Sequence, residues 1–581
     1  MEPTSAYLCA DGTPFPVTWD RAEDTAVPWA LIHNRPEPLM PLDLAARRAY
    51  RAAFDRPLLE AGYPARAAVF FPNGFHYIAA ARTPAWLAQT EAAGARLTQR
   101  YGSLAAAWEQ HSVAQMQALL TWLQEADDPV PLPDLLETGP TVQGLSFVAF
   151  ASVMGHVQRL TAFCTEHLGA DAAPLALELL AGYPNVTIDL DQALWELARA
   201  ADAAPAVRAA ILSAATAADL EAAGALDGAG PFRAALGGLL DRYGDRAEGW
   251  GLASVTWRER PERPLPILRG LLAQPGVSPA ERLAQTARQR DARLAEVEER
   301  LGDGAAVGRF RVLHEAARVY VLLRESHADW QLRGYGALRT ALLRRGERLV
   351  RAGALAEPEQ ILYLLPEEIE GAAARGEDLS EVVAVRQAER GRWLGKVPPP
   401  VIGTAPLTVE QTDDDGRLMR GVAASRGTVT ARARVVRDLE EAERLQPGEV
   451  LVCGMTDPAW TSLFGVAAAV VTDTGSALAH AAITAREYGI LRARHAHGHP
   501  AHPRRRPHHG GRRSRYRPHR GADRRRRRTV RRHVRQVRVS PRADCPTRGP
   551  RYHTATQQKE RSAILVPRPA HASPGARRAI A

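Results

Sequence analysis

The chain has 581 residues and carries 75 Lys and Arg against 65 Asp and Glu, a formal net charge of +10; that length supports several domains and a large buried core. The basic excess sits at the end: residues 491–581 hold 27 Lys and Arg against 3 Asp and Glu, leaving 48 against 62 for the first 490, so an evenly basic body is excluded. Cys9, Cys164, Cys453 and Cys545 have no metal or disulfide spacing, no stretch approaches the roughly 20 apolar residues of a membrane span, and no signal-peptide pattern opens the chain, so a reducing cytoplasm is the expected location and no membrane partner is expected.

Residues 1–83 read as a mixed segment of turn, loop and helix, with a short hairpin around Asn73-Gly74. Residues 84–392 are rich in Ala, Leu, Arg and Glu at helical spacing. Helices are expected over Ala85–Leu104, Ala105–Ala126, Ser146–Leu168, Leu175–Leu180 and Asp191–Ala201, then over Ala206–Ala214, Gly230–Tyr243, Pro279–Leu301 and Ala306–Ala352. Glycine-rich stops fall between them, as at 182–184, 227–230 and 302–304. His76, His314 and His327 read as structural histidines, and Trp108, Trp122, Trp330 and Tyr335 as core. Residues 393–420, proline-rich and then polar, read as a linker.

Residues 421–490 alternate strand and helix. Gly427–Val436 reads as a strand, Leu439–Leu445 as a short helix, Glu449–Gly454 as a buried strand, and Asp457–Phe464 as a helix capped by Asp457 with Pro458 at its first position. Ala467–Val471 reads as a further buried strand. It runs into TDTGSALAHAAITAREYGI, Thr472–Ile490: a small-residue turn at Gly475, Ser476 and Ala477, then His480, then helix formers. A histidine in the first turn of a helix stands beside unpaired backbone N–H groups and the positive end of the helix dipole, an arrangement suited to an anion. Such a histidine can accept and pass on a phosphoryl group.

This stretch, with LVCGMTDPAWTSLFGVAAAVV before it, resembles the phosphohistidine (swivelling, mobile) domain of the PEP-utilising enzymes, in layout nearest those with a rifampicin-phosphotransferase-like helical part. The resemblance implies an α+β multidomain chain: a large mainly α-helical substrate domain, a small and truncated β/α phosphohistidine domain, and a disordered basic tail. It implies that His480 is the phosphorylated residue and that Gly475, Ser476, Arg486, Glu487 and Thr456 surround the phosphate. Ala479 stands where a serine or cysteine is common and Leu478 where several members have threonine. In RVYVLLRESHADWQL, Arg324 and Glu325 fill the family's Arg-Glu place; Arg324 is a substrate-side candidate, with a helix-to-helix ion pair the competing account. No metal ligands are assigned.

The family's ATP-grasp domain and its PEP-binding barrel have no counterpart in the text. The expectation is a phosphotransferase component that binds no cofactor by itself. ATP and Mg2+ would come through a partner ATP-grasp chain, and the acceptor would be a small molecule with a hydroxyl or a carboxyl/enol group. The competing expectation is an inactive ligand-binding or regulatory relative with a vestigial histidine domain.

After Ile490 the text turns into an Arg- and His-rich run without apolar periodicity, and residues 491–581 are expected to be disordered. A basic tail binding nucleic acid is one account; a slipped reading frame is the preferred one. Read one base later, codons for His495–Pro503 permit Thr-Arg-Thr-Ala-Thr-Arg-Arg-Thr-Arg, and those for Gly510–Ser514 permit Val-Asp-Gly-Glu-Ala, close to the family's continuation. On that account the sheet lacks the strands after the His480 helix and keeps an uncovered edge.

Overall fold

The computed structural model describes residues 7–32, 37–60, 62, 68–79, 88–89, 92–93, 104–125, 131–169, 172, 174–247, 249–273, 278–403, 421–423, 429–437, 441, 444–456, 460–472, 480–489, 491–495 and 536–539. They are mostly helical, with a small sheet-containing region towards the C-terminus.

Near the N-terminus, β1 (Tyr7–Leu8) and β2 (Pro14–Phe15) pair antiparallel. They are followed by β3 (Trp29–Leu31), α1 (Pro41–Ala49), α2 (Arg51–Glu60), β4 (Ala68–Phe70) and β5 (Tyr77–Ala79). The expected hairpin forms: β4 and β5 pair with Phe70 opposite Tyr77. Asn73 takes φ 52° in the turn, a left-handed conformation that asparagine tolerates better than most residues.

The helical run comprises α3 (Leu104–Glu125), α4 (Leu132–Leu168), α5 (Leu175–Glu178), α6 (Val186–Asp202), α7 (Pro205–Ser213), α8 (Ala217–Gly224), α9 (Gly230–Tyr243), α10 (Leu265–Ala273), α11 (Pro279–Leu301), α12 (Ala305–Arg351), α13 (Pro366–Arg375) and α14 (Ser380–Trp393). Both α9 and α11 match their expected bounds end to end. The start of α11 is written locally: Ser278 accepts from the Glu281 N–H, the Glu281 side chain bonds back, and Pro279 opens the helix. At α6, the Asn185 side chain accepts from the N–H groups of Thr187 and Ile188. Not expected were α8, α10, α13 and α14, and the helix expected over Ala85–Leu104 falls largely outside the described residues.

At α4 the sequence expectation is corrected. It begins at Leu132 rather than Ser146 and runs through Pro140. Proline forfeits one intrahelical hydrogen bond, but α4 packs lengthwise against α12 and against α2, and that packing outweighs the local break. The close approach uses glycine. A Cβ on Gly144 would lie 2.4 Å from the Phe54 carbonyl oxygen, and one on Gly336 1.8 Å from that of Asp245.

The stretch taken as the start of a linker instead completes the N-terminal sheet. With β6 (Val401–Ile402) the strand order is β4-β5-β3-β6. The Tyr77 hydroxyl donates to the Pro399 carbonyl at 2.6 Å, and Trp393 packs edge-on to Phe15 at 5.5 Å. Residues 404–420 lie outside the described residues.

The C-terminal region contains β7 (Gly421–Ala423), β8 (Val429–Val435), β9 (Val450–Cys453), α15 (Thr461–Phe464), β10 (Ala469–Thr472), α16 (His480–Glu487), β11 (Leu491–His495) and β12 (Gln536–Val539). The expected strands at Gly427–Val436, Glu449–Gly454 and Ala467–Val471 correspond to β8, β9 and β10. Most of Leu439–Leu445 and the expected cap at Asp457 lie outside the described residues. The sheet order is β12-β8-β9-β10-β11-β7, with β8, β9, β10 and β11 parallel and both outer strands antiparallel. All four residues of β10 are buried.

The sheet therefore does not stop at Ile490. Ala469–Thr472 pair in register with Leu491–Arg494, so the edge expected to be uncovered is occupied. Strand pairing uses backbone N–H and C=O groups, which any non-proline residue supplies; an Arg-rich text can fill a ladder that its side chains would not suggest. The rest of 491–581 lies outside the described residues.

Gly144→Ala is expected to lower the unfolding free energy by about 1–3 kcal/mol, because α2 must move off α4. Urea denaturation followed by far-UV circular dichroism measures this.

Candidate functional site

The parallel strands β9 and β10 lie side by side, with Val452 opposite Val471 and Cys453 opposite Thr472. Beyond their carboxyl ends come Thr456 on one side and, after residues 473–479, His480 on the other. Open parallel sheets bind ligands in the crevice outside those ends. His480 is the first residue of α16, as expected. Gly475 and Ser476 lie outside the described residues. Thr456 is 5 % exposed, and its hydroxyl has no hydrogen-bond partner among the described residues. A buried hydroxyl left in that state costs about 1–3 kcal/mol, so Thr456 has that much to gain from a ligand oxygen.

Arg486 and Glu487 are placed elsewhere. They stand at the far end of α16, Glu487 about 10 Å along the axis from His480 at 1.5 Å per residue. The Glu487 carboxylate accepts from the Gly182 N–H at 2.7 Å, and the Thr286 hydroxyl donates to the Glu487 carbonyl at 3.0 Å. Burial pushes the Glu487 carboxyl up to about 7, against the downward pull of the Gly182 N–H and Arg486. Next to it, the Tyr488 hydroxyl donates to Asp191 at 2.6 Å. Burial raises Asp191 to about 8, with Tyr488 and Arg246 opposing. Sequence reasoning did not find Gly182, Asp191, Thr286 or Tyr488, since nothing in their spacing marks them as neighbours.

Arg324 is 7 % exposed and paired with the adjacent Glu325. Its guanidinium lies 5.0 Å from the Phe150 ring centroid, and the other Glu325 oxygen accepts from the Thr187 hydroxyl at 3.2 Å. The pair lies within one helix rather than between two. One turn along α4 from Phe150, Phe147 lines a small pocket of about 40 Å³ together with Arg47, Arg51, Phe54, Phe71 and His76. The pocket is open on one side, and its walls come from α1, α2, α4 and the β4–β5 hairpin.

The histidines read as structural are packed. His314 Nε2 lies 2.9 Å from the Leu179 carbonyl, the His76 ring packs tilted against Phe71 at 5.0 Å, and burial holds His327 down at about 4. Tyr335 is core and bonds Arg47 at 2.6 Å, Trp122 and Trp330 are partly buried against apolar clusters, and the Trp108 side chain lies outside the described residues. Among the described residues, no group of three or more His, Cys, Asp or Glu side chains is placed to hold a metal ion, and no helix is long and apolar enough to cross a membrane.

Two family models match. Residues 145–325 match the rifampicin phosphotransferase fourth domain, and residues 445–491 match the PEP-utilising enzyme mobile domain. A chondramide synthase of Chondromyces crocatus is 30% identical over 529 residues, 82% of this chain but 13% of that protein. Rifampicin phosphotransferases of Streptomyces sviceus and Bacillus subtilis are 32% and 28% identical over 269 and 279 residues. These cover 44% and 45% of this chain and 31% and 32% of those proteins, so the chain spans at most about a third of each of these relatives.

Arg324→Ala is expected to cost about 3–5 kcal/mol of stability, because it strands the buried Glu325 carboxylate. Arg324→Met combined with Glu325→Gln should recover most of that loss, as read from the paired melting temperatures.

Proposed function

The chain belongs to the PEP-utilising enzyme family, and on that footing we propose that it is a phosphohistidine carrier, with His480 as the carrying residue. The observation that supports this is the carboxyl edge of β9 and β10, where His480 opens α16 and the buried Thr456 hydroxyl lacks a partner among the described residues. The imidazole attacks phosphorus; an N–P bond forms as the donor's P–O bond breaks. In the second half the acceptor oxygen attacks, an O–P bond forms, the N–P bond breaks, and the acceptor hydroxyl proton passes to solvent. Positioning and charge neutralisation dominate such transfers. The α16 N–H groups face the phosphoryl oxygens, and Thr456 donates a hydrogen bond to one of them. ATP and Mg2+ are handled by a separate ATP-grasp chain.

The acceptor is a small molecule bearing a hydroxyl, or a carboxyl/enol group, whose apolar part sits among Phe54, Phe71 and Phe147. The aromatic lining of that pocket supports this, with Phe147 one turn along α4 from the Phe150 ring that Arg324 faces. The slipped reading frame stays part of the proposal, and resequencing the gene around the Ile490 codon tests it.

Phosphoramidate, a small donor that needs no partner protein, tests the carrier directly. The wild-type chain should acquire an acid-labile, base-stable phosphate at His480, and His480→Ala should acquire none. Thr456→Val should slow phosphorylation about tenfold or more, the weight of one hydrogen bond to a charged oxygen. A wild-type chain without label, or label unchanged in His480→Ala, overturns the proposal in favour of an inactive ligand-binding relative.

A further inference from the structure

The two edges of the C-terminal sheet do different things. His480 and Thr456 follow the carboxyl ends of the parallel strands, whereas Gly465 precedes β10 and Glu487 and Tyr488 precede β11, at the amino ends. It is the amino edge that touches the helical run. The Glu487 carboxylate takes the Gly182 N–H at 2.7 Å and its carbonyl takes the Thr286 hydroxyl at 3.0 Å. Tyr488 donates to Asp191 on α6 at 2.6 Å, and Arg282 on α11 donates to the Gly465 carbonyl at 3.3 Å. The Arg282 guanidinium also lies 5.6 Å from the Tyr488 ring centroid. Between these polar contacts, Ile188 of α6 and Leu283 of α11 join the apolar cluster of Leu463, Phe464 and Tyr488.

We infer that Glu487 and Tyr488, with Asp191, Gly182 and Thr286, form a proton-dependent latch that grips the sheet domain by the edge opposite His480. Gripped there, the carboxyl edge is left to meet a phosphoryl donor, and opening the latch lets His480 travel to the acceptor. That consequence rests on the carrier proposal; the latch itself does not.

The chemistry follows from what each carboxyl faces. Glu487 faces the Gly182 N–H, Arg486 on its own helix, Arg290 on α11 and Glu325 on α12. Glu325 is already paired with Arg324 and hydrogen-bonded to Thr187. Asp191 faces the Tyr488 hydroxyl and Arg246, and Arg246 is committed to Asp329 at 2.9 Å. Burial is the largest influence on both carboxyls, outweighing the Arg486 and Arg290 charges near Glu487 and the Arg246 charge near Asp191. Released into water, each returns to the ordinary carboxylate range near 4. The latched form therefore holds the extra protons across the window from about 4 up to about 7 for Glu487 and about 8 for Asp191. Latching is strongest at the acid side of that window and is lost as pH rises through 7 to 8.

Gly182 adds a geometric condition. It takes φ +74°, and a Cβ there would lie 2.6 Å from the Ala287 backbone nitrogen. Only glycine brings its N–H to Glu487 this close to α11.

Hydrogen exchange of the full chain at pH 6.0 and pH 8.5, corrected for intrinsic exchange, tests the latch. Amides of 180–188 and 484–489 should lose protection at least tenfold at the higher pH, while α12 amides around 310–340 change little and serve as the internal control. Glu487→Gln with Asp191→Asn keeps both groups neutral and should flatten the pH dependence. Tyr488→Phe should lower protection of the same amides at both pH values. Equal wild-type protection at both pH values, or a double variant that keeps the wild-type dependence, overturns the latch. A chain that exchanges as expected but is not phosphorylated by phosphoramidate sinks the carrier proposal instead.

Discussion

A charged helix segment buried on nearly every side must neutralise its own charges, and the middle of α12, from Arg324 to Arg339, meets that constraint. Arg324 pairs with Glu325, which also holds Thr187 of α6. Asp329 takes Arg246 at 2.9 Å, Arg339 takes Glu259 at 2.9 Å, and the Tyr335 hydroxyl accepts from Arg47 of α1 at 2.6 Å. Leaving any of these buried groups alone is costly, so each pair fixes the register of α12 against another part of the chain. One helix of 47 residues thereby ties α1, the loop after α9 and the α6 face into one frame.

The candidate site inherits its geometry from that frame. Arg324 lies over Phe150, one turn from the Phe147 wall of the pocket, while the neighbouring Glu325 reaches Thr187 at the head of α6. From α6 the polar contacts continue through Asp191 to Tyr488 and so to α16. Pocket, ion pair and sheet domain therefore stand in sequence along one continuous set of contacts. The buried carboxyls in that set, Glu487 and Asp191, lie where the sheet region packs against α6 and the Gly182 turn.

Much of the site was legible before any coordinates. His480 opens its helix because small residues precede it and helix formers follow, and buried β-branched runs on either side of α15 become adjacent parallel strands. Thr456 was picked out by resemblance, and the structure adds that its hydroxyl is buried without a partner among the described residues. Arg486 and Glu487 were read as phosphate neighbours from the family resemblance. In a helix, six or seven residues are nearly two turns, and the axis carries them about 10 Å away.

Local chemistry alone determined α11, whose cap Ser278-Pro279 and box partner Glu281 are four consecutive letters. It also determined the 68–79 hairpin, through Asn73-Gly74, and the helix start at His480. Tertiary structure decided the passage of α4 through Pro140, the return of residues 393–403 to the N-terminal sheet, and the pairing of Leu491–Arg494 beside β10. It also decided which edge of the sheet meets α6 and α11. Those outcomes depend on contacts between residues far apart in the chain and on backbone hydrogen bonds indifferent to side-chain identity, and neither leaves a periodic trace in sequence.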